Sequence, residues 1–352
     1  MPTPTFPFGR LSAALTLAIA SCCITPAAMA EVRTMIVTSD PQYPWTPESD
    51  THVPQDDADR DARSQALIEE QYRSIVAYRA ARQGQDIPVF INGDITAYGH
   101  GDQREVMGRM LKILGDNVHI GLGNHDYENN IRRDNGEGCY NNGCARDSIN
   151  DIVRHVTSKQ GVVSFDYARQ GTTFGTRHVG SLAYAFRAPG LDRVFNVQLH
   201  NHPRYTVSFD TTEGILPARY DIESPVPWLE NMLTANLTVP PFGTPADRAY
   251  DFAVVHMHDP DKINVEFVRS IMNSDVVAVF AGHFHQHLGH YRSIGPIPVF
   301  LSGSASQRTY LIVEHDTDEA VLRVYGVRNN DPEHKELLQT VPTRRPDRLS
   351  RS

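Results

Sequence analysis

The chain has 352 residues, of which 40% are hydrophobic and 21% are charged, a composition typical of a folded globular protein and not of a disordered one. Its 33 basic and 42 acidic side chains give a formal net charge of −9, and no Lys/Arg-rich run is present. A basic surface that follows a nucleic-acid backbone is therefore not indicated, and no nucleic-acid partner is expected.

Residues 1–30 are typical of a secretory signal peptide. An apolar run at 11–24 follows a single basic residue and is too short to span a bilayer, so no transmembrane segment is predicted. The leader ends in Ala-Met-Ala at 28–30, the small-x-small pattern that a signal peptidase accepts. We expect cleavage after Ala30 and a periplasmic or secreted protein. The alternative is a lipobox that ends at Cys22, which would anchor a lipoprotein.

Two of the four cysteines lie outside this leader, in the Gly/Asn-rich sequence at 138–144. A close pair on such a loop in an exported protein favours a disulfide, and we predict a bond between Cys139 and Cys144. No further Cys or His stands near the pair at zinc-ligand spacing, which argues against a metal site there. Two free thiols are the alternative.

Apolar runs with the character of strands alternate with segments of helical spacing, which indicates a mixed α/β fold. Strands are predicted at 32–39, 87–91, 119–122, 182–186, 194–199, 252–255 and 276–280, and a strand meander at 298–302, 310–314 and 320–327. Polar loops are predicted at 43–61 and 127–150. Because no repeat or linker interrupts the pattern, we expect one domain over residues 31–330 and a polar C-terminal tail at 331–352.

Polar side chains follow the ends of these predicted strands. Because the carboxyl ends of strands in an open α/β sheet meet at one crevice, we expect them to form a single site. Carboxylates, imidazoles and amide oxygens suit hard or borderline divalent metals, and the absence of cysteine excludes a sulfur-rich zinc site. The residues concerned are Asp40, Gln42, Asp94, Asn124, His125, His256, His283 and His285.

The ordered pattern of these residues resembles the five sequence blocks of the calcineurin-like metallophosphoesterase superfamily. The blocks are Asp-x-Gln at 40–42, Gly-Asp at 93–94, Gly-Asn-His-Asp at 123–126, the histidine at 256 and Gly-His-x-His at 282–285. The resemblance spans about residues 32–330. It implies a four-layer α/β/β/α sandwich of two mixed sheets with flanking helices, and hydrolysis of phosphomonoester, phosphodiester or pyrophosphate bonds by water that two divalent metal ions activate.

The resemblance also implies a metal ligand at each of seven positions. Asp94 would bridge the two ions, since a carboxylate offers two oxygens and offsets the repulsion between cations about 3.5–4 Å apart. Asp40 and His285, with Gln42, would hold the first ion, and Asn124, His256 and His283 would hold the second. His258, two residues after His256, points to the same side of an extended chain and is an alternative ligand or substrate contact.

The resemblance implies a catalytic role for the third block. His125 would contact the phosphoryl group and protonate the leaving oxygen as a general acid, and Asp126 is a candidate to orient its ring.

The first block departs from the commonest pattern, which is Asp-x-His. Gln42 resembles instead the branch that contains manganese-dependent ADP-ribose/CDP-alcohol diphosphatases. Because an amide oxygen is a harder donor than imidazole, Mn²⁺ is expected ahead of Fe, Zn, Mg or Ca. The alternative is that Gln42 only lines the pocket.

A small phosphorylated substrate is expected outside the cytoplasm: a nucleotide, a lipid head group or another organic phosphate. Trp45, in the loop at 43–61, can cover an apolar or planar group of that substrate; the alternative is that this loop is only a solvated charged segment. Two alternatives remain: an exported nuclease of the same superfamily, against which the acidic charge balance speaks, and a catalytically weak metal-binding or sensing protein on this fold.

Overall fold

The computed structural model describes residues 1–2, 31–132, 138–238 and 248–344. The predicted signal peptide, including Cys22 and Ala30, lies outside the described residues apart from the first two, as does the end of the predicted tail from residue 345. Among the described helices, none has the length and apolarity that a bilayer crossing requires.

The described chain forms helices and strands that alternate along most of its length. The helices are α1 (Pro47–Asp50), α2 (Asp57–Ala80), α3 (Gly101–Leu111), α4 (Gly143–Ser158), α5 (Val226–Leu237) and α6 (Val265–Met272). The strands are β1 (Val32–Thr38), β2 (Val89–Asn92), β3 (Val118–Gly121), β4 (Val162–Phe165), β5 (Ala168–Thr172), β6 (Gly175–Gly180), β7 (Tyr184–Phe186), β8 (Val194–Gln198), β9 (Val207–Glu213), β10 (Leu216–Ile222), β11 (Phe252–His256), β12 (Val276–Ala281), β13 (Leu288–Ile294), β14 (Ile297–Ser302), β15 (Tyr310–Asp316), β16 (Val321–Val327) and β17 (Glu336–Pro342).

Two large mixed sheets form the centre of the fold, as the sequence predicted. The first has the order β17-β16-β15-β1-β2-β3, and the second has the order β13-β14-β12-β11-β8-β7-β4. Strands β1, β2 and β3 are parallel, as are β8, β11, β12 and β14. Both sheets therefore have a parallel centre whose strands end at one edge, while antiparallel strands extend each sheet outwards.

Helices cover the outer faces of both sheets. On α2, buried Ile68, Tyr72 and Ile75 join the core around the first sheet, and the buried Gln71 side chain accepts a hydrogen bond from Thr38 at the end of β1. Helices α5 and α6 contribute to a second apolar cluster with β8, β11 and β12. The result is a layered α/β/β/α arrangement.

A third sheet, β5-β6-β10-β9, was not predicted from the sequence. All five residues of β5 are exposed, and the central strands carry charged side chains such as Arg177 and Arg219. In β5 and β6 only His178 is buried, so these two strands lack the alternation of apolar and polar residues on which a strand prediction depends. Strands β9 and β10 do alternate, with Phe209 and Tyr220 buried in the core, and could have been predicted.

Two predicted loops contain helices. The loop expected at 43–61 includes α1 and the start of α2, and the loop expected at 127–150 includes the first half of α4. Within the part of α4 that was predicted to be a loop, Ile149 is the single large apolar residue that is buried, beside the small or polar Cys144, Ala145 and Ser148, so this part gives a weak helical signal. The predicted Cys139–Cys144 disulfide is present at the start of α4.

The prediction of a polar tail from residue 331 is wrong over β17, which pairs antiparallel with β16. In β17 only Val341 is fully buried, while Leu338 is partly buried against the core. An edge strand of this kind is stabilised mainly by backbone pairing, which the side-chain pattern does not reveal.

A stack of aromatic rings joins the inner faces of the two sheets. Phe90 of β2 lies parallel to His256 of β11, with ring centroids 4.3 Å apart, and His119 of β3 stacks on Phe186 of β7 at 4.0 Å. Both histidines are fully buried, and none of their ring nitrogens has a hydrogen-bond partner. These imidazoles therefore act as apolar rings in the core.

We predict that His119 makes the fold sensitive to acid. Burial, with a contribution from Lys159, holds the pKa of His119 well below its usual 6.5. Below pH 6.5 the unfolded chain therefore binds a proton that the folded chain does not, and stability falls as the pH falls. Replacing the ring by His119→Phe should reduce the loss of unfolding free energy between pH 6.5 and pH 5 by about 2 kcal/mol, measured by urea unfolding at both values.

The exposed His290 on β13 provides the matched control. His290→Phe should leave the pH dependence of the unfolding free energy unchanged. An identical decline of stability in wild type and His119→Phe would contradict the prediction.

Candidate metal centre

The carboxyl ends of five strands bring the chemistry-bearing side chains together. Asp40 follows β1, Asp94 follows β2, Asn124 and His125 follow β3, and the segments after β11 and β12 complete the group. This edge of the two sheets is where parallel strands end, as the sequence analysis expected.

The turns at this edge hold several residues in left-handed backbone conformations. The φ angles are +51° at Asp40, +41° at Gln42, +50° at Asp94 and +74° at His283. Non-glycine residues adopt such angles at a cost, and they concentrate at functional sites where the surrounding structure enforces them.

Two glycines allow the turns to approach the carboxylates. A Cβ atom on Gly123 would lie 2.1 Å from Asp94 Oδ1, and a Cβ atom on Gly282 would lie 2.6 Å from Asp40 Oδ2. No other residue fits at either position without moving an aspartate. The glycines of the third and fifth blocks are therefore required by the site and not by the turns alone.

Asp94 lies at the centre of two overlapping donor groups. Asp40, Asp94 and His285 form one group, and Asp94, His258 and His283 form the other; in each group the ligand atoms all lie within 4.8 Å of one another. Together the two groups contain two carboxylates and three imidazoles, and Asp94 belongs to both. This donor set fits a pair of divalent cations that Asp94 bridges.

His258 belongs to this site although the sequence analysis preferred His256. The Nδ1–H of His258 donates to the carbonyl oxygen of Asn92 at 2.9 Å, and Nε2 lies 3.0 Å from both Asp94 Oδ2 and Asn124 Oδ1. In metal-ligating histidines a backbone carbonyl commonly accepts from one ring nitrogen and so directs the second nitrogen at the metal. The ring of His258 has this arrangement, with Nε2 directed at the candidate ligands Asp94 and Asn124.

The structure does not bring His256 into the donor group. The ring of His256 is stacked between Phe90 and Phe280 in the core, and both its nitrogens are without a partner. As the last residue of β11, it points into the core between the two sheets, whereas His258 lies beyond the strand end. His256 was preferred because it fits the family position better. The two histidines would face the same side of an extended chain, but the chain leaves the strand between them, and His258 lies beside Asp94.

Asp50 orients His285 and was not identified from the sequence. Its Oδ1 lies 2.5 Å from Nδ1 of His285, while Nε2 of His285 faces Asp40 Oδ1 at 3.3 Å. The same carboxylate accepts hydrogen bonds from Trp45 Nε1 and Gln307 Nε2. Asp50 lies in α1, within a segment predicted to be a loop, so its spacing gave no signal.

The side chain of Gln42 is fully buried, and neither its amide oxygen nor its amide nitrogen has a hydrogen-bond partner. A buried amide without partners is costly, by roughly 1–3 kcal/mol. This orphaned amide beside Asp40 is consistent with a donor set that a cation completes.

The ring of His125 is held by a backbone carbonyl. Its Nδ1 lies 2.9 Å from the carbonyl oxygen of Ala97, and because a carbonyl only accepts, Nδ1 carries the proton of this hydrogen bond. Trp45 lies edge-on to the same ring, with centroids 5.5 Å apart. The free nitrogen, Nε2, is therefore the atom available for proton transfer.

Asp126 does not orient the His125 ring. Its carboxylate accepts hydrogen bonds from the backbone N–H groups of Ile95, Thr96 and Gly123. Burial and the charge of Asp94 raise the pKa of Asp126 to about 7, while these donors favour its ionised form. Asp126 thus joins the turns after β2 and β3 and acts on the site through the backbone.

Electrostatics couple the buried groups strongly. Burial disfavours the ionised form of Asp94, but the adjacent His258 and His125 hold its pKa below the usual range. Burial alone would lower the pKa of His258, yet Asp94 and Asp40 raise it to about 10. Asp40 and Asp94 therefore favour positive charge between the strand ends, and a protonated His258 ring supplies it here.

A sequence profile of the calcineurin-like phosphoesterase family matches residues 37–287. This range includes every donor of the two groups, and the chain belongs to that family. The family generally uses divalent metals, in agreement with the donor set described above. A search among curated proteins finds no match.

Solved structures are similar to this chain at low sequence identity. A purple acid phosphatase, PPD1, from yellow lupin (Lupinus luteus) seeds is 8% identical with a TM-score of 0.49, over 91% of this chain and 55% of the lupin chain. GAP50, the anchor in the inner membrane complex of Plasmodium, is 8% identical with a TM-score of 0.46, over 88% and 87%. The calcineurin-like phosphoesterase YfkN from Bacillus subtilis is 10% identical with a TM-score of 0.40, over 88% and 90%.

Proposed function

We propose that the chain is a divalent-cation-dependent hydrolase of phosphomonoester, phosphodiester or pyrophosphate bonds. The observation that carries this proposal is the shared position of Asp94 between two groups of metal-ligand atoms. Asp40 and His285 would hold one cation, and His258 and His283 the other.

Divalent cations bound there would polarise a phosphoryl oxygen and lower the pKa of an attacking water. Gln42 and Asn124 would supply amide oxygens to the two cations, and Asn124 Oδ1 lies 3.0 Å from Nε2 of His258. Because amide and carboxylate oxygens are hard donors, Mn²⁺ is the cation that we favour.

His125 acts in this proposal as the general acid. With Nδ1–H donated to Ala97, the imidazolium form would carry a second proton on Nε2, pass it to the leaving oxygen and become the neutral imidazole. Ala97 takes the orienting role that the sequence analysis assigned to Asp126.

We also propose that the protein is exported. Support comes from the leader sequence at 1–30 and from the Cys139–Cys144 disulfide, a bond that persists in oxidising compartments.

The role of His258 is testable against its neighbour His256. His258→Ala removes a nitrogen beside Asp94, and we expect Mn²⁺ affinity to fall by about 10-fold to 100-fold or more, since even the loss of an outer partner has an effect of that size. His256→Phe keeps a stacked ring and should keep wild-type affinity. Titration of metal-free protein with Mn²⁺, with free Mn²⁺ followed by electron paramagnetic resonance, measures both.

Circular dichroism should show that both variants are folded before they are compared. A loss of Mn²⁺ affinity in His256→Phe with none in His258→Ala would restore the original assignment and overturn this one.

The role of His125 predicts a dependence on the leaving group. His125→Ala should lower kcat by roughly 10²-fold to 10⁴-fold for aryl or alkyl esters with poor leaving groups. Esters whose leaving groups have low pKa values need less protonation, so their loss of kcat should be smaller. Mn²⁺ content should stay at the wild-type level.

The measurement is kcat for a series of phosphate esters of graded leaving-group pKa, in wild type and His125→Ala. An equal loss across the series, or a loss of bound metal, would show that His125 does not act on the leaving group.

A further inference from the structure

An open cavity of about 470 Å³ lies directly beside the candidate metal centre. Two of its lining residues, His283 and His285, belong to the two donor groups. A molecule whose phosphoryl group contacts those donors therefore has its remaining part at this cavity. The full lining is Asp50, His283, Phe284, His285, Gln286, His287 and Tyr291.

One wall of the cavity is aromatic. Phe284 and Tyr291 have ring centroids 5.3 Å apart, and the rings of His287 and Tyr291 are 5.5 Å apart. Phe284 also lies 5.0 Å from the ring of His283. The aromatic surface thus continues from the donor group to the far side of the cavity.

The rings of this wall are fixed in place. The Tyr291 hydroxyl donates to the carboxylate of Asp261, at 2.9 Å and 3.1 Å from its two oxygens. Phe284 and Tyr291 are both partly buried against the apolar cluster beneath the second sheet. A fixed aromatic surface binds a planar ring with little loss of side-chain entropy.

A further aromatic side chain, Trp45, contacts the donor group at His285. Trp45 lies edge-on to His285, with centroids 5.9 Å apart, and its Nε1–H is bound to Asp50, which lines the cavity. The indole is therefore tied to the cavity wall through the same carboxylate that orients His285.

The charge of the lining indicates what the cavity does not bind. Among the described residues that line it, none is a lysine or an arginine. A guanidinium does lie beside the aromatic wall: Arg292 has its Cζ 5.8 Å from the centroid of the Tyr291 ring, and it is paired with Asp261 at 3.4 Å. Because this guanidinium is already paired with a carboxylate and the lining itself has no lysine or arginine, the cavity favours an uncharged group.

We propose that this cavity binds an uncharged planar ring, and that the substrates are phosphate esters which carry an aryl or nucleoside group. The inference rests on the proposed phosphoesterase function, because it assumes that a phosphoryl group occupies the donor site. Phe284 and Tyr291 are the residues that select the ring.

Binding of non-hydrolysable phosphonates to the Mn²⁺-loaded protein tests this inference without turnover. Methylphosphonate, cyclohexylphosphonate, phenylphosphonate and the 5′-methylenephosphonate of thymidine share one charged head and differ in the attached group. By isothermal calorimetry we expect phenylphosphonate to bind about 10-fold more tightly than methylphosphonate and several-fold more tightly than cyclohexylphosphonate. A matching gain for the thymidine compound identifies nucleosides, and a gain for phenylphosphonate alone identifies aryl esters.

Tyr291→Leu should remove the preference for phenylphosphonate and leave the affinity for methylphosphonate unchanged. Tyr140→Leu is the matched control, because Tyr140 is 97% exposed and does not line the cavity. Equal affinities for the phenyl, cyclohexyl and methyl compounds, or an equal loss for all of them in Tyr291→Leu, would overturn the inference. Failure of every phosphonate to bind the metal-loaded protein would instead count against the proposed function.

Discussion

Two buried carboxylates, Asp40 and Asp94, determine how the strand ends are arranged. Their side chains are almost completely removed from water, and a buried charge without compensation is strongly unfavourable. The chain provides that compensation locally. The backbone N–H of His125 donates to Asp94, the backbone N–H of His283 donates to Asp40, and the ring of His258 lies against both. Such a concentration of negative charge is what a divalent cation pair requires.

The side chains around these carboxylates are themselves oriented from outside. The backbone carbonyl of Asn92 binds Nδ1 of His258, and that of Ala97 binds Nδ1 of His125. The carboxylate of Asp50 binds Nδ1 of His285. In each ring this leaves the other nitrogen facing the centre. These partners orient the three rings, so that the second nitrogen of each can ligate a metal or transfer a proton.

The sequence was informative where a residue's position follows from a strand end, and uninformative where it follows from packing across the fold. Asp40, Asp94, His283 and His285 follow buried apolar runs, so their convergence could be predicted. His256 and His258 could not be separated, because stacking of one ring on Phe90 depends on the opposite sheet. Strand β5 of the third sheet and β17 were missed because they have little or no buried face and depend mainly on backbone pairing. Asp50 was missed because its partner is 235 residues away.

The central claim is that Asp94 joins two cation sites, and Asp94→Asn tests it most directly. An asparagine side chain keeps the size but loses the negative charge and one of the two acceptor oxygens. The account predicts that Asp94→Asn loses bound Mn²⁺ and phosphoesterase turnover in metal-limited buffer, while Asp316→Asn, at another buried aspartate, retains both. Metal analysis after dialysis, with turnover measured on the same samples, is the measurement. Wild-type metal content and turnover in Asp94→Asn would contradict the account.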